Sequence, residues 1–224
     1  MNLNVMLSEE RQQAGGASLY PDFEVRNLEC TRQDIILFRD IDFRLNAGQI
    51  LQIDGVNGSG KTSLIRILAG LIQPTAGEVY WRGVPVADCR YEFQREISYI
   101  GHLNGIKEGL TALENLRVAR DLANIKASAN FPGILGRIGL AGMEEVYVNA
   151  MSAGQRRRLA LARLLIDSKR IWLLDEPFTS LDAEGKVTVE QMISDHSNNG
   201  GIIVFATHQP LEIKDCTLTR IHLN

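Results

Sequence analysis

The chain lacks a long apolar run. A membrane span needs about 20 consecutive apolar residues. The best runs here, Ile171 to Leu174 and Ile202 to Ala206, stop at Asp175 and at Thr207-His208. If the protein works at a membrane, another chain must cross it. Cysteine is scarce as well: Cys30, Cys89 and Cys216 stand far apart with no CxxC. That excludes a disulfide framework and a zinc site, and predicts buried, reduced thiols. An excess of one charge is missing too. The 24 Lys and Arg against 27 Asp and Glu leave a formal charge of −3, with no general pull toward nucleic acid or anionic membrane. A secretory leader is not apparent, because Glu9, Glu10 and Arg11 stand where an apolar stretch would be required. No internal repeat or low-complexity segment is visible.

What is present suits one sizeable core. The 224 residues are 45% hydrophobic and 23% charged, which is ordinary for a globular protein and unlike a disordered one. Residues 1–22 show no sustained period and contain Gly15-Gly16, so they read as a flexible N-terminal extension; Met6 is an alternative start. From Phe23 the patterning is regular. Phe23 and Val25, then Ile41, Phe43 and Leu45, alternate with polar residues, as antiparallel strands with one wet face do. Ile50 to Ile53 is a short apolar strand running into glycines. Leu64, Ile65, Leu68 and Leu71 follow helical spacing, and Glu78 to Trp81 resumes a strand. Thr111 to about Ile166 is mostly helical, divided at Pro132-Gly133 and Gly139. Two apolar strands then flank a helical stretch from Glu184 to His196. Short apolar strands alternating with helices predict an α/β fold with a buried parallel sheet.

Residues 55 to 62 read GVNGSGKT, the spacing G-x-x-x-x-G-K-[ST]. Gly55, Gly58 and Gly60 let the backbone wrap so that the N–H groups of Val56, Asn57 and Ser59 can turn inward around phosphates. The following helix adds its N-terminal dipole beneath them, with Ser63 in its first turn. Lys61 supplies a point charge for the β- and γ-phosphates, and the Thr62 hydroxyl is a ligand for Mg²⁺. An apolar strand before and an amphipathic helix after raise this above an incidental glycine-rich turn. Alone, the loop implies a nucleoside triphosphate and no particular work.

Ile171 to Leu174 ends in Asp175-Glu176. A charge at the end of a buried strand must be paired or hold a metal. Asp175 is placed to hold Mg²⁺ through water, and Glu176, projecting differently, to act as general base on the attacking water. Without the phosphate loop, a solvated strand end before Pro177 would be the better reading.

Further segments bring in a family. Met151-Ser152-Ala153-Gly154-Gln155 resembles the LSGGQ signature of ATP-binding cassette (ABC) ATPases. Ser180-Leu181-Asp182 stands where that family has its D-loop, and Thr207-His208 where it has its switch histidine. All of these motifs occur in the family's order over about residues 23–224. The resemblance implies a P-loop ATPase with a parallel core sheet, an antiparallel β subdomain, and a helical subdomain at about 105–165. It implies ATP and Mg²⁺ as ligands, His208 as a γ-phosphate sensor, and a head-to-tail homodimer. In that dimer Ser152, Ala153, Gly154 and Gln155, with Asp182, would meet ATP bound on the second copy. Arg156-Arg157-Arg158 reads as the solvated face of the following helix, with Leu161, Leu164 and Leu165 buried.

The chain departs from the common pattern at two places. Gly101-His102 follows the strand ending at Ile100, where the family has its Q-loop glutamine, so His102 becomes the candidate to touch metal or water. Arg32 stands about where an aromatic stacks on adenine; a guanidinium also stacks on a base. Ile100 to Lys107, Leu110 to Leu116, the Ala in MSAGQ, and Gly200 to Leu211 resemble the ATP-binding subunits of the bacterial cytochrome c maturation (haem exporter) system. The end of the chain soon after His208 also suits that subunit. The resemblance implies integral membrane subunits of that complex as partners and a peripheral place on the cytoplasmic face of the inner membrane. Its output is haem export or the release of a haem-loaded chaperone, and the alternative is the ATPase of another small-substrate transporter. No CxxCH is present, so no direct haem binding is expected, nor is nucleic acid.

Rival classes fit less well. A P-loop kinase has no need of MSAGQ. A chromosome-organising cassette would interrupt the chain with a long coiled coil, and a translation-factor cassette carries two such units. A non-hydrolysing module would not be expected to keep both Glu176 and His208.

Overall fold

The computed structural model describes residues 20–126, 129–167, 169–208 and 217–224. Most of the N-terminal extension, Cys216 and the Gln209-Pro210-Leu211 segment therefore lie outside the described residues. Two sheets form the frame. Strands β1 (Phe23–Arg32), β2 (Ile35–Leu45), β4 (Ala76–Trp81) and β5 (Val84–Pro85) make an antiparallel sheet in the order β2-β1-β4-β5. Strands β6 (Ile97–Ile100), β7 (Ile171–Asp175), β8 (Ile202–Ala206), β3 (Gln49–Gly55) and β9 (Thr217–Leu223) make a parallel sheet in the order β6-β7-β8-β3-β9.

The central strands β7 and β8 are buried throughout, and apolar up to Asp175, because both of their faces are covered. Successive side chains go to opposite faces. Ile50, Trp172, Leu174, Ile203 and Phe205 enter one core, and Leu51, Ile53, Leu173, Val204 and Ala206 the other. The second core is shared with α1 (Lys61–Leu68) and the antiparallel sheet, including Phe23, Val25 and Trp81. The first is shared with α3 (Ala112–Leu122), α4 (Phe131–Arg137), α5 (Ala153–Ala162) and α6 (Ala183–Asn198). A short helix, α2 (Arg90–Gln94), precedes β6. No helix among the described residues is long and apolar enough to cross a membrane.

The α/β architecture agrees with the sequence reading, and four local expectations are corrected. Leu71 is not part of α1 and is exposed: Gly70, at φ +66°, ends the helix in the left-handed conformation. Pro132-Gly133 does not divide the helical stretch but lies in the first turn of α4, where proline's missing N–H has no helical partner to lose. Asn130 caps that turn by accepting from the Gly133 N–H. Glu24, on the expected wet face of β1, is buried beneath Arg26 and Arg44, which donate to its two oxygens at 2.7 Å each. Arg157 is not on the solvated face of α5: it is only 3% exposed. Cys30 and Cys89 are free and buried as expected, and burial beside Glu92 and Asp88 pushes the Cys89 thiol up to about 11.

Candidate nucleotide site

β3 delivers the chain into the phosphate loop, and α1 leaves it. Gly60 caps α1 at φ +97°, and a Cβ there would press on Leu37 and Phe38, so glycine is required on both counts. A Cβ on Gly55 would overlap the Leu223 carbonyl and the Ser59 hydroxyl, which locks the loop against β9. The Ser59 hydroxyl is buried without a partner among the described residues. A buried hydroxyl of that kind fits an anion resting in the loop. The Lys61 ammonium is buried too, and donates to the Gly55 and Val56 carbonyls at 2.7 and 2.9 Å.

Across the sheet, β7 ends at Asp175, which is 1% exposed. The Thr62 hydroxyl donates to its carboxylate, at 2.9 Å from one oxygen and 3.2 Å from the other. A half-buried hydroxyl and a buried carboxylate in contact are hard oxygen donors, the set that suits Mg²⁺ with waters completing its shell. Glu176 follows in the left-handed region at φ +53°, uncommon for a non-glycine residue, and its N–H donates to the Ala206 carbonyl. That turn swings the Glu176 side chain off the strand line toward His208. The His208 Nδ1 lies 3.1 and 3.0 Å from the two carboxylate oxygens.

A cavity of about 390 Å³ joins these groups. Asn57, Gly58, Gly60, Lys61, Thr62 and Ser63 line it from the loop, with His102, Glu176, Thr179, His208 and Leu37 around them. A second cavity of about 500 Å³, reaching Gly55 and Val56, shares Asn57 and His208 with it. The sequence candidates Lys61, Thr62, Glu176, His208 and His102 thus converge on the first cavity, with Asp175 buried behind Thr62.

Other candidates stand apart from this cavity. Arg32 ends β1 and is exposed, while Leu37 on the hairpin partner strand reaches the cavity wall. Ser152 caps α5: its hydroxyl accepts from the Gln155 N–H and the Gln155 side chain returns to the Ser152 N–H, a capping box. Ser152 and Ala153 are exposed, and none of residues 152–155 lines the cavity. Asp182 caps α6 by accepting from the Gly185 N–H. The 152–155 and 180–182 segments meet within the chain, since a Cβ on Gly154 would lie 2.7 Å from the Ser180 carbonyl oxygen.

Leu37, Thr179 and Arg157 are contributors that sequence reasoning missed. Leu37 and Thr179 carry no motif signal. Arg157 sits inside a triple-arginine run that usually signals solvent. Burial lowers its guanidinium pKa below the usual arginine range, and the nearby Asp175 and Glu176 oppose that shift.

Comparison with known proteins gives the family and the fold. The family model described as ABC transporter matches residues 38–179. The cytochrome c biogenesis ATP-binding export protein CcmA of Escherichia coli O157:H7 is 45% identical over 200 residues, covering 89% of this chain and 95% of that protein. Its counterpart from Shigella dysenteriae serotype 1 matches to the same extent. A putative ABC transporter ATP-binding protein from Pyrococcus furiosus has the same fold, with a TM-score of 0.78 at 22% identity over 90% of this chain and 96% of that one. So has the dimeric post-hydrolysis state of the ATP-binding cassette MJ0796 bound to ADP and Pi, with a TM-score of 0.73 at 24% identity, covering 84% of this chain and 88% of that one. The chain belongs to the ABC transporter ATPases, in the group of cytochrome c biogenesis ATP-binding export proteins.

Proposed function

We propose that the chain hydrolyses ATP to drive a membrane complex of c-type cytochrome maturation, acting as a homodimer on the cytoplasmic face of the bacterial inner membrane. The observation that carries this reading is the convergence of Lys61, Thr62 and Glu176-His208 on one cavity, with Asp175 bonded to Thr62 behind it, in a chain 45% identical to cytochrome c biogenesis ATP-binding proteins. The dimer rests on the exposed Ser152-Ala153 cap outside the chain's own cavity, and on the dimeric state of the solved cassette with the same fold.

In this reading the loop N–H groups and Lys61 hold the triphosphate. Mg²⁺, held by Thr62 and through water by Asp175, would neutralise charge on the β- and γ-phosphate oxygens. Glu176 accepts a proton from the water whose oxygen attacks the γ-phosphorus. The bond from phosphorus to the bridging oxygen breaks, and ADP leaves with that electron pair. His208 holds the Glu176 carboxylate and faces the γ-phosphate. His102, on the loop after β6, would face the metal or its water. Arg32 stacks on the adenine face from the end of β1.

Residues 23–224 form the ATPase domain, with a helical subdomain at about 105–165; its segment near Thr111 to Ala150 and the loop around His102 receive the membrane partner. Leu103 and Leu122 are more than 80% exposed and offer that partner apolar contact. The output is haem export or release of a haem-loaded chaperone. The test is the set of membrane proteins that co-purify with the full chain. Recovery of cytochrome c maturation subunits supports the reading; recovery of an unrelated transporter overturns it.

A further inference from the structure

Arg157 is the most buried cation around the site, and the chemistry above does not use it. It lies on α5, one turn past the Ser152 cap. Its Nη1 donates to the Gly101 carbonyl at 3.0 Å and to the Asn104 side-chain oxygen at 3.1 Å. Its Nη2 donates to the carbonyls of Asp175 at 2.7 Å and Glu176 at 3.0 Å. One planar fork therefore ties together the capped helix, the loop that carries His102, and the acidic end of β7.

A guanidinium that only filled space would gain nothing over an apolar side chain of similar volume, because taking its charge out of water is unfavourable. Four acceptors at fixed angles are what a fork can satisfy and a lysine cannot. The acceptors are also informative. Two of them are main-chain carbonyls of the acid pair, and Glu176 is the residue held at φ +53°. A strained backbone persists only where its surroundings over-determine it. Here the Ala206 carbonyl holds the Glu176 N–H, and the Glu176 carbonyl accepts from both Arg157 at 3.0 Å and the Thr179 N–H at 3.2 Å.

We propose that Arg157 is a positioning residue that makes the aim of the Glu176 carboxylate, and the seat of the His102 loop, depend on the position of the Ser152-capped helix. When that helix shifts against the sheet, the fork moves with it and the Glu176 turn loses the one restraint that comes from the capped helix. Contact made by Ser152 to Gln155 with a second copy is thereby reported to this copy's own hydrolytic centre. The inference rests on Glu176 being the general base.

The test is steady-state hydrolysis by the full chain purified with its membrane complex, as wild type, Arg157→Lys, Glu176→Gln and the double variant. Arg157→Lys keeps the charge and loses the fork. Its kcat is expected to fall about 10- to 100-fold, as for a reacting group misplaced by a fraction of an ångström to an ångström. Its KM for ATP should stay within about threefold, because the phosphate loop is untouched. In the Glu176→Gln background the same change should remove at most about twofold more, since residues acting as a unit are non-additive. Wild-type kcat in Arg157→Lys overturns the proposal, as does an equal loss in both backgrounds, which is the mark of general structural damage. If Arg157→Lys does not fold, Asn104→Ala removes one acceptor only; a threefold or larger loss of kcat at unchanged KM supports the proposal, and a smaller loss overturns it. Wild-type hydrolysis by Glu176→Gln instead refutes the general-base reading on which the inference rests.

Discussion

The Thr62 hydroxyl reaches across 113 positions of sequence to donate to both carboxylate oxygens of Asp175, at 3.2 and 2.9 Å. Adjacent order in the parallel sheet does not make this contact, because β8 lies between β3 and β7. The contact forms because α1 starts above the strand ends and turns its first residues back over them. It brings two oxygen donors together one residue from Lys61. Thr62→Val keeps the shape and removes the hydroxyl. It should raise the Mg²⁺ concentration needed for half-maximal hydrolysis at least about tenfold, and Thr62→Ser should restore most of it. Lys61→Ala should lower hydrolysis at least about 100-fold in the purified complex. Turnover that is unchanged in Lys61→Ala would remove the loop from the reaction.

Glu176 and His208 form a pair in which the carboxylate is nearly covered and the imidazole half exposed, with side-chain exposures of 14% and 46%. Replacing the carboxylate by its amide keeps the size and removes the base. Glu176→Gln should slow hydrolysis about 100- to 10,000-fold while ATP still binds. Trapped ATP should then hold two copies together, giving a dimer peak on gel filtration of the complex with ATP and Mg²⁺. A Glu176→Gln protein that hydrolyses at the wild-type rate would place the base elsewhere.

The phosphate loop was legible because its chemistry forces both residue type and spacing, and the strand before it and the helix after it are local patterns. The acid pair was legible only beside that loop, since two acids at a strand end before Pro177 would otherwise read as a solvated turn. Arg157 was not. A run of three arginines on a helix is ordinarily solvated, and what buries this one comes from 56 and 18 residues away, as Gly101 and Asp175. Glu24 was misread for a similar reason: period-two alternation reports a polar face but not whether Arg26 and Arg44 will close over it. Leu71 and Pro132 were errors of boundary, decided by a left-handed glycine and by a helix start that the Pro132-Gly133 pair conceals.

Glu24 gives a stability prediction with a defined sign. The Arg26 hydrogen bond holds its carboxyl below the ordinary carboxylate range, against the opposing effect of burial and with help from Arg44. A lowered folded-state value means that the unfolded chain takes up the proton first as pH falls. The contribution is complete above the unfolded value, near 4.3, and is lost as pH drops through the folded value. Glu24→Gln should therefore destabilise the fold at pH 7 by about 1 kcal/mol, the arginines being largely exposed, and the difference from wild type should shrink toward pH 3. Urea midpoints across that range measure it. A difference that stays constant with pH would show that lost packing and not lost charge is responsible.

His196 acts in the opposite chemical sense at the far end of the parallel sheet. Its ring lies flat on Trp172, with centroids 3.8 Å apart and planes within 4°, and its Nε2 meets the Arg170 carbonyl at 3.2 Å. Gly201 closes the other side, where a Cβ would overlap the ring. Burial among these groups pushes the imidazole from 6.5 down to about 4, only partly offset by the Arg170 carbonyl. The folded state thus keeps the ring neutral at pH values where the unfolded chain is already protonated. Stability attributable to this residue is complete above about pH 6.5 and falls steadily as pH drops toward 4, where the folded ring also titrates. His196→Phe preserves a flat ring on Trp172 and cannot be protonated. It should lose the Arg170 contact at pH 7.5 and so be modestly less stable there. Between pH 6.5 and 4.5 it should lose less stability than wild type, so that the two denaturation midpoints converge or cross. Parallel midpoints over that interval would mean that the wild-type ring is protonated in the folded state without penalty.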